Sequence, residues 1–198
     1  MILMDDVIEI LAELFNAYDV QIFYWDEDFE YNPKKKIIYA PEDAGGVFAI
    51  MGIAHEFMHH KQNIDKRWMS EDEAGDYKIH IIVASVDERS QWLLRMPDIE
   101  IEANAFCKLF IERLLEFNFI NGFLDDEGRK IALRAVRDYL EIAKPHPDNE
   151  SKVKEIKAKE KSLHAKLKGE LSVKIDDLIF KRARTRPENR KFKIKVLS

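Results

Sequence analysis

Three of the six histidines in this 198-residue chain lie in one short segment, 52–62, with the sequence GIAHEFMHHKQ. His55 and His59 are four residues apart, and Glu56 directly follows the first of them. Each residue of a helix turns by about 100°, so the two imidazoles point the same way within about 40° and can reach one zinc ion. Glu56 lies slightly to the side, where a carboxylate can take the proton of a zinc-bound water. The pattern predicts metal-assisted hydrolysis.

A catalytic zinc ion usually takes three protein ligands and leaves its fourth position to water, so a third ligand must come from another part of the chain. Asp65, ten residues after the first histidine, stands where proteases of the metzincin kind place that ligand. Those proteases need a glycine where this chain has Gln62, and no histidine follows here. His80 is a second candidate. The third is Glu100, with Glu102 beside it, and its neighbours support it.

Glu100 is the preferred third ligand because of the residues that share its helix face, Ala103 and Asn104. The small side chain of Ala103 allows two helices to approach closely. The Asn104 amide can hydrogen-bond the outer ring nitrogen of a zinc-bound histidine and so fix its tautomer. Alone, Glu100 or Glu102 would be explained as a carboxylate that suits the helix dipole near a helix N-terminus. With the histidine pair in the same chain, the explanation as a metal ligand is preferred over the helix-dipole explanation. The choice between Glu100 and Glu102 stays open.

The two segments HEFMH (55–59) and EIEANAF (100–106) resemble the ImmA/IrrE family of zinc metallopeptidases, which pairs HExxH with a later E-x-x-A-N-x-F-A helix. The resemblance covers about residues 1–120 and departs from the family at Cys107, where alanine is usual, and at LFIERLL (109–115). It implies a zinc-dependent peptidase that acts on a protein substrate, and family members act on DNA-bound repressors. It also implies that His55, His59 and Glu100 bind zinc, that Glu56 is the catalytic base and that Asn104 supports a ligand.

A peptidase also needs a donor that stabilises the oxyanion, and four residues are candidates. His60 lies about 100° round the helix from the second histidine, and it is better explained as a histidine of the helix surface or a support for the ligands. The sequence does not choose among the donors, which are Tyr31, His60, Tyr77 and His80. A separate prediction concerns the substrate: a strand at 36–40 could hold a substrate peptide as an added strand.

The elements that position these residues follow from apolar periodicity. A run at 47–64 that is apolar almost all round predicts a helix inserted in the core, and Pro97-Asp98 predicts the start of the next helix. We therefore expect an α+β, zincin-like domain: a small mixed or antiparallel sheet packed on the HExxH helix, a helical C-terminal half and a basic α/β tail. The other predicted elements are amphipathic helices at 2–18 and 125–144, and strands at 20–25 and 36–40 around a turn at Asn32-Pro33.

Charge divides the chain into an acidic body and a basic tail. Residues 152–198 hold 16 Lys+Arg and 6 Asp+Glu, a net charge of +10, which leaves −15 for 1–151 out of the total of −5. We expect a metallopeptidase domain at 1–143, a linker at 144–151 with the sequence KPHPDNES, and a basic extension at 152–198. The extension either packs on the acidic body or binds nucleic acid or an acidic partner. For that partner the candidate residues are Lys181, Arg182, Arg184, Arg186, Arg190 and Lys191.

Composition sets the remaining bounds. An apolar share of 46% suffices for a core, and the single cysteine, Cys107, excludes an internal disulfide and a cysteine-based zinc cluster. Asp5 and Asp6 occupy positions where a secretory signal carries basic residues, and the apolar run 47–54 is too short to cross a bilayer. We expect a cytoplasmic protein with Zn²⁺ as cofactor and no membrane partner. The alternative to an enzyme is a non-catalytic zinc-containing module that binds nucleic acid or protein through the basic tail.

Overall fold

The computed structural model describes residues 4–43, 46–67, 98–117, 127, 129–130, 132–133, 150–184 and 196–197. The predictions for 70–96, which include Tyr77 and His80, and for most of 125–144 fall outside these residues. The described part is α+β and mostly helical, as predicted. Its elements are α1 (Met4–Phe15), β1 (Gln21–Trp25), β2 (Glu30–Asn32), β3 (Ile37–Pro41), α2 (Gly46–Ile64), α3 (Asp98–Glu116), α4 (Glu150–Arg184) and β4 (Val196–Leu197).

The strands form one mixed sheet in the order β2-β3-β1-β4. β1 is parallel to β3 and to β4, whereas β2 and β3 are antiparallel. The predicted strands at 20–25 and 36–40 are confirmed as β1 and β3, while β2 lies in a segment that the sequence indicated as a turn. Because β3 has neighbours on both sides, it is not a free edge, and the prediction that it could take an added peptide strand is wrong.

Helix α2 lies between the sheet and the other helices, which explains why its sequence is apolar almost all round. It contacts β2, β3, α1 and α3, and Ile50, Ile53 and Phe57 are fully buried in it. Each such side chain contributes about 1.5–3 kcal/mol by leaving water. The helix begins at Gly46, where φ is 56°, a conformation that favours glycine. The core therefore holds in place the helix that carries HExxH.

Helix α3 begins at Asp98, as predicted, with Asp98 and Glu100 in its first turn. Phe106 and Phe110 are fully buried, and the Phe106 ring lies 4.9 Å from that of Phe15 in α1. The Cys107 thiol is also buried, and its Sγ lies 3.4 Å from the Met51 carbonyl oxygen of α2. These contacts fix α3 against both α1 and α2, so the two helices with candidate ligands lie side by side.

In the described part of the basic tail, a continuous helix of 35 residues, α4, packs on α3 and α1. The Arg113 guanidinium of α3 donates two hydrogen bonds of 2.7 Å to the Asp176 carboxylate of α4. The helix begins inside the predicted linker, and α4 and β4 agree with the expected α/β content of the tail. No described helix is long and apolar enough to span a membrane. The buried face of α4 contains Val153, Ile156, Leu167, Ile175, Leu178 and Ile179.

Candidate metal centre

Helices α2 and α3 bring three of the predicted ligands together. The His55 Nε2 atom lies 3.1 Å from Glu100 Oε2, and the His59 Nε2 atom lies 3.2 Å from Glu100 Oε1. The two imidazole rings are nearly perpendicular, with centroids 4.6 Å apart. One donor atom from each of the three residues lies within 4.8 Å of the others, so the cluster could hold a metal ion. Within the described part of the chain it is the one group of this kind.

The donor set fits zinc by its chemistry and its spacing. Two imidazole nitrogens and a carboxylate are a ligand set of catalytic zinc sites, in which bonds of about 2.0–2.1 Å place neighbouring donors about 3.3 Å apart. The two nitrogens lie 3.1 and 3.2 Å from the two different oxygens of the Glu100 carboxylate, and one donor atom of each residue lies within 4.8 Å of the others. The side chains of His55 and Glu100 keep 16% and 19% of their surface exposed, against 5% for His59. The cluster therefore opens to solvent on the side of His55 and Glu100.

Electrostatics in the cluster favours a cation. Burial by itself raises the pKa of Glu100, but hydrogen bonds from His55 and His59 and their charge hold it well below its usual range. Burial lowers the pKa of His59, yet hydrogen bonding to Glu100 and its charge, with smaller effects of Glu56 and Gln62, raise it to about 9. Without a metal, His59 therefore binds a proton at neutral pH, and a metal ion would have to displace that proton.

Glu56 lies beside the cluster without being one of its ligands. It is buried, and its negative charge helps to raise the pKa of His59. Among the described residues none hydrogen-bonds to the Glu56 carboxylate or forms an ion pair with it. Within this part of the chain no side chain competes for the lone pairs of the Glu56 carboxylate, which a general base needs in order to accept a proton.

A hydrogen bond that the sequence did not suggest supports His59. Its Nδ1 atom lies 2.8 Å from Gln62 Oε1, one turn along α2. The Gln62 amide nitrogen donates to the Ile99 carbonyl oxygen and to Glu102 Oε2, each at 2.9 Å. The available signal was the position of Gln62 three residues after a ligand on the same helix. Asn104, the predicted support, is buried in α3, and its role stays a prediction.

Two alternative ligands have other partners. The Asp65 carboxylate pairs with Lys61 at 2.5 Å and with Arg67 at 3.1 Å near the surface. The Glu102 carboxylate accepts from Gln62 and, at 2.7 Å, from Arg67. Neither belongs to the cluster of donor atoms, so of these carboxylates the structure brings only Glu100 to the histidines.

His60 and Tyr31, two candidates for the oxyanion donor, pair with each other. The Tyr31 hydroxyl lies 2.8 Å from His60 Nδ1, and their rings meet edge to face. His60 is fully buried, so the expectation that it lies on the helix surface is wrong; it faces β2 of the sheet. Burial lowers the pKa of His60 below its usual value, with Asp19 opposing and Lys36 adding to that effect.

Part of the basic tail is engaged within the protein. Lys181 pairs with Glu13 at 2.5 Å, and the Arg182 guanidinium pairs with Glu9 and Glu13 of α1. Arg184 is exposed and lies over the Phe180 ring, 5.8 Å from its centroid. Arg186, Arg190 and Lys191 fall outside the described residues. The packed arm is thus observed for α4, and the binding of nucleic acid or an acidic partner stays a prediction.

No family model, curated protein or solved structure matches this chain.

Proposed function

We propose that this protein is a zinc-dependent metallopeptidase that hydrolyses peptide bonds of a protein substrate. One observation carries the proposal: the donor atoms of His55, His59 and Glu100 converge, with the open carboxylate of Glu56 beside them. A purely structural zinc has no need of that fourth residue, and structural sites usually close the coordination with a fourth protein ligand. The resemblance of HEFMH and EIEANAF to the ImmA/IrrE family of zincin-like fold, which rests on the same residues, agrees with this proposal.

The division of labour in the site follows from the positions of its side chains. His55, His59 and Glu100 hold the metal, which when bound supplies an activated water and polarises the substrate carbonyl. The Glu56 carboxylate orients the attacking water, takes its proton and then delivers that proton to the leaving amine. The Gln62 amide oxygen, 2.8 Å from His59 Nδ1, favours the tautomer with its proton on Nδ1, so that Nε2 is the nitrogen available to the metal. The exposed side of His55 and Glu100 is the side from which a peptide can approach.

Metal content and activity of matched variants test the proposal. We expect the purified protein to contain about one zinc per chain and to cleave fluorescein-labelled casein. His59→Ala should lose the metal together with activity. Glu56→Gln should keep the metal, because Glu56 is not a ligand, but should lose about 100-fold or more of the activity, as expected for a general base.

Two outcomes would contradict the proposal. Absence of near-stoichiometric zinc from the wild-type protein, measured by mass spectrometry of the metal, would remove its basis. Full activity in Glu56→Gln, purified in the same way, would show that the cleavage comes from a contaminant or from another mechanism. Zinc retention with no activity in either protein would favour the non-catalytic module.

A further inference from the structure

The side chain of Gln62 joins the two helices that carry the candidate ligands. Its Oε1 atom lies 2.8 Å from His59 Nδ1 within α2. Its Nε2 atom donates across to α3, to the Ile99 carbonyl oxygen at 2.9 Å and to Glu102 Oε2 at 2.9 Å. Gln62 itself is fully buried, and its hydrogen bonds to His59 and Glu102 are buried as well, so the loss of either partner would leave a polar group without water to replace it.

The orientation of the Gln62 amide is fixed by its neighbours. A carbonyl oxygen and a carboxylate can only accept hydrogen bonds, so the nitrogen of the amide must face Ile99 and Glu102. The amide oxygen then faces His59 and can only accept, which requires the proton of that imidazole to be on Nδ1. His59 therefore keeps its Nδ1 proton when it binds a metal, and Nε2, which lies 3.2 Å from Glu100 Oε1, is the nitrogen that gives up its proton. The amide thus selects the tautomer that a metal ligand needs.

Glu102 is held in turn by the chain that follows α2. Lys66 has φ 56°, and the Arg67 amide hydrogen-bonds to the Gln62 carbonyl oxygen at 2.9 Å, which is the turn that commonly ends a helix. This turn directs the Arg67 guanidinium to Glu102 Oε2, 2.7 Å away. Hydrogen bonds therefore connect the half-exposed Arg67 through Glu102 and Gln62 to the buried candidate ligand His59.

We propose that Gln62 is a positioning residue for the metal ligand His59, and that Glu102 and Arg67 act through it. The inference rests on the proposed zinc site and adds to it a support that spans α2 and α3. Glu102, two residues from the ligand Glu100, thereby has a role of its own. Residues that hold a metal-bound histidine in this way typically change metal affinity by about 10–100-fold when they are replaced.

The test measures zinc affinity by competition with a chelating dye, for the full-length protein. We expect Gln62→Leu to weaken zinc binding by about 10–100-fold and to alter the visible spectrum of the Co²⁺-loaded protein, since the His59 ring is freed to turn. Asn63→Leu is the matched control, because that amide contacts the Tyr31 hydroxyl at 3.4 Å and not the ligands. Its zinc affinity and cobalt spectrum should stay as in the wild type.

A second variant keeps the test decisive if Gln62→Leu does not fold. Glu102→Met removes one of the two acceptors that orient the Gln62 amide, and we expect several-fold weaker zinc binding. Where Gln62→Leu does fold, adding Glu102→Met to it should have no further effect on zinc affinity, because Glu102 acts through Gln62.

The outcomes separate the two proposals. Wild-type zinc affinity in both Gln62→Leu and Glu102→Met, even with lower melting temperatures, would overturn the positioning role and leave the zinc site intact. Failure of the wild-type protein to bind zinc at all would overturn the proposed function and the positioning role with it.

Discussion

Two glutamates of one helix turn have different partners in this protein. Glu100 and Glu102 lie two residues apart on α3, about 200° apart around the helix axis, so they face different surroundings. Glu100 meets the imidazoles of His55 and His59. Glu102 meets Gln62 and Arg67. Their exchange for alanine should therefore have different effects on metal binding.

We expect Glu100→Ala to lose stoichiometric zinc because a donor atom is removed. Glu102→Ala should still bind one zinc per chain at saturating zinc, with lower affinity. Metal content after dialysis against a defined free zinc concentration measures the difference. Loss of zinc from Glu102→Ala alone would mean that the third ligand is assigned to the wrong glutamate.

Gly52, one turn before Glu56 on α2, has no room for a side chain. A Cβ at this position would lie 2.5 Å from three ring atoms of Phe29. We expect Gly52→Ala to destabilise the protein by about 1–3 kcal/mol from overpacking, less the gain in helix propensity. Thermal unfolding of the metal-free protein measures this change.

Gly169 provides the matched control for that substitution. It is exposed in α4, and nothing lies within 4 Å of a Cβ built there. Gly169→Ala should therefore stabilise the protein by about 0.5–1 kcal/mol, the usual difference between glycine and alanine in a helix. A higher melting temperature for Gly52→Ala than for Gly169→Ala would contradict the close packing of Phe29 on α2.

At the scale of elements, ion pairs join α4 to α1. The Arg182 guanidinium, 13% exposed, pairs with Glu9, which is 3% exposed, and with Glu13. Burial raises the pKa of Glu13, but hydrogen bonds and charges of Lys181 and Arg182 outweigh it and lower the pKa. Charge pairing between the acidic body and the basic tail is thus a property of two packed helices, and it needs no external partner.

Replacement of Arg182 measures how much its ion pairs with Glu9 and Glu13 contribute to stability. We expect Arg182→Ala to destabilise the protein by about 3 kcal/mol, because the buried carboxylate of Glu9 loses its guanidinium. Arg184→Ala, two residues on, should cost at most about 1 kcal/mol, since it removes an exposed cation over the Phe180 ring. Urea unfolding of both variants measures the two losses in free energy of unfolding. Equal losses would show that the buried Arg182–Glu9 pair contributes no more to stability than the exposed Arg184.

At the scale of the whole molecule, the strand of the basic tail, β4, pairs with β1, the first strand of the acidic body. β4 pairs with β1 through Ile22–Val196 and Phe23–Leu197. The first and the last described strands therefore belong to one sheet. Helix α4, which precedes β4 in sequence, packs on α1, which precedes β1.

We expect a chain truncated after Arg184 to be less stable, because β1 loses a neighbour and becomes an edge strand. For a protein of this size, each 1 kcal/mol lost lowers the melting temperature by about 2–4 °C. Differential scanning calorimetry of the truncated and full-length proteins measures the effect. An unchanged melting temperature would mean that the β4 pairing contributes nothing to stability.

The sequence by itself determined the local features of this protein. Apolar periodicity predicted the position of α2, Asp98 marked the start of α3, and the charge distribution marked 152–198 as a basic tail. Spacing on one helix also placed His55, His59 and Glu56 correctly relative to one another. These features follow from residues within a few turns, because helix geometry fixes their directions whatever else the chain does.

The tertiary structure alone decided which distant groups meet. It brought Glu100 rather than Asp65 to the histidines, turned His60 toward Tyr31, placed β2 beside β3 and supplied Gln62 as the partner of His59. The contacts of Glu100 and His60 join residues far apart in sequence, whereas β2 and β3 follow one another along the chain and Gln62 lies on the same helix as His59. Their meeting depends on how α2, α3 and the sheet pack, and a difference of half a helix turn in that packing would exchange Glu100 for Glu102. Residue types and their spacing therefore predicted the chemistry of the site, whereas the packing of the core decided that Glu100 meets the two histidines.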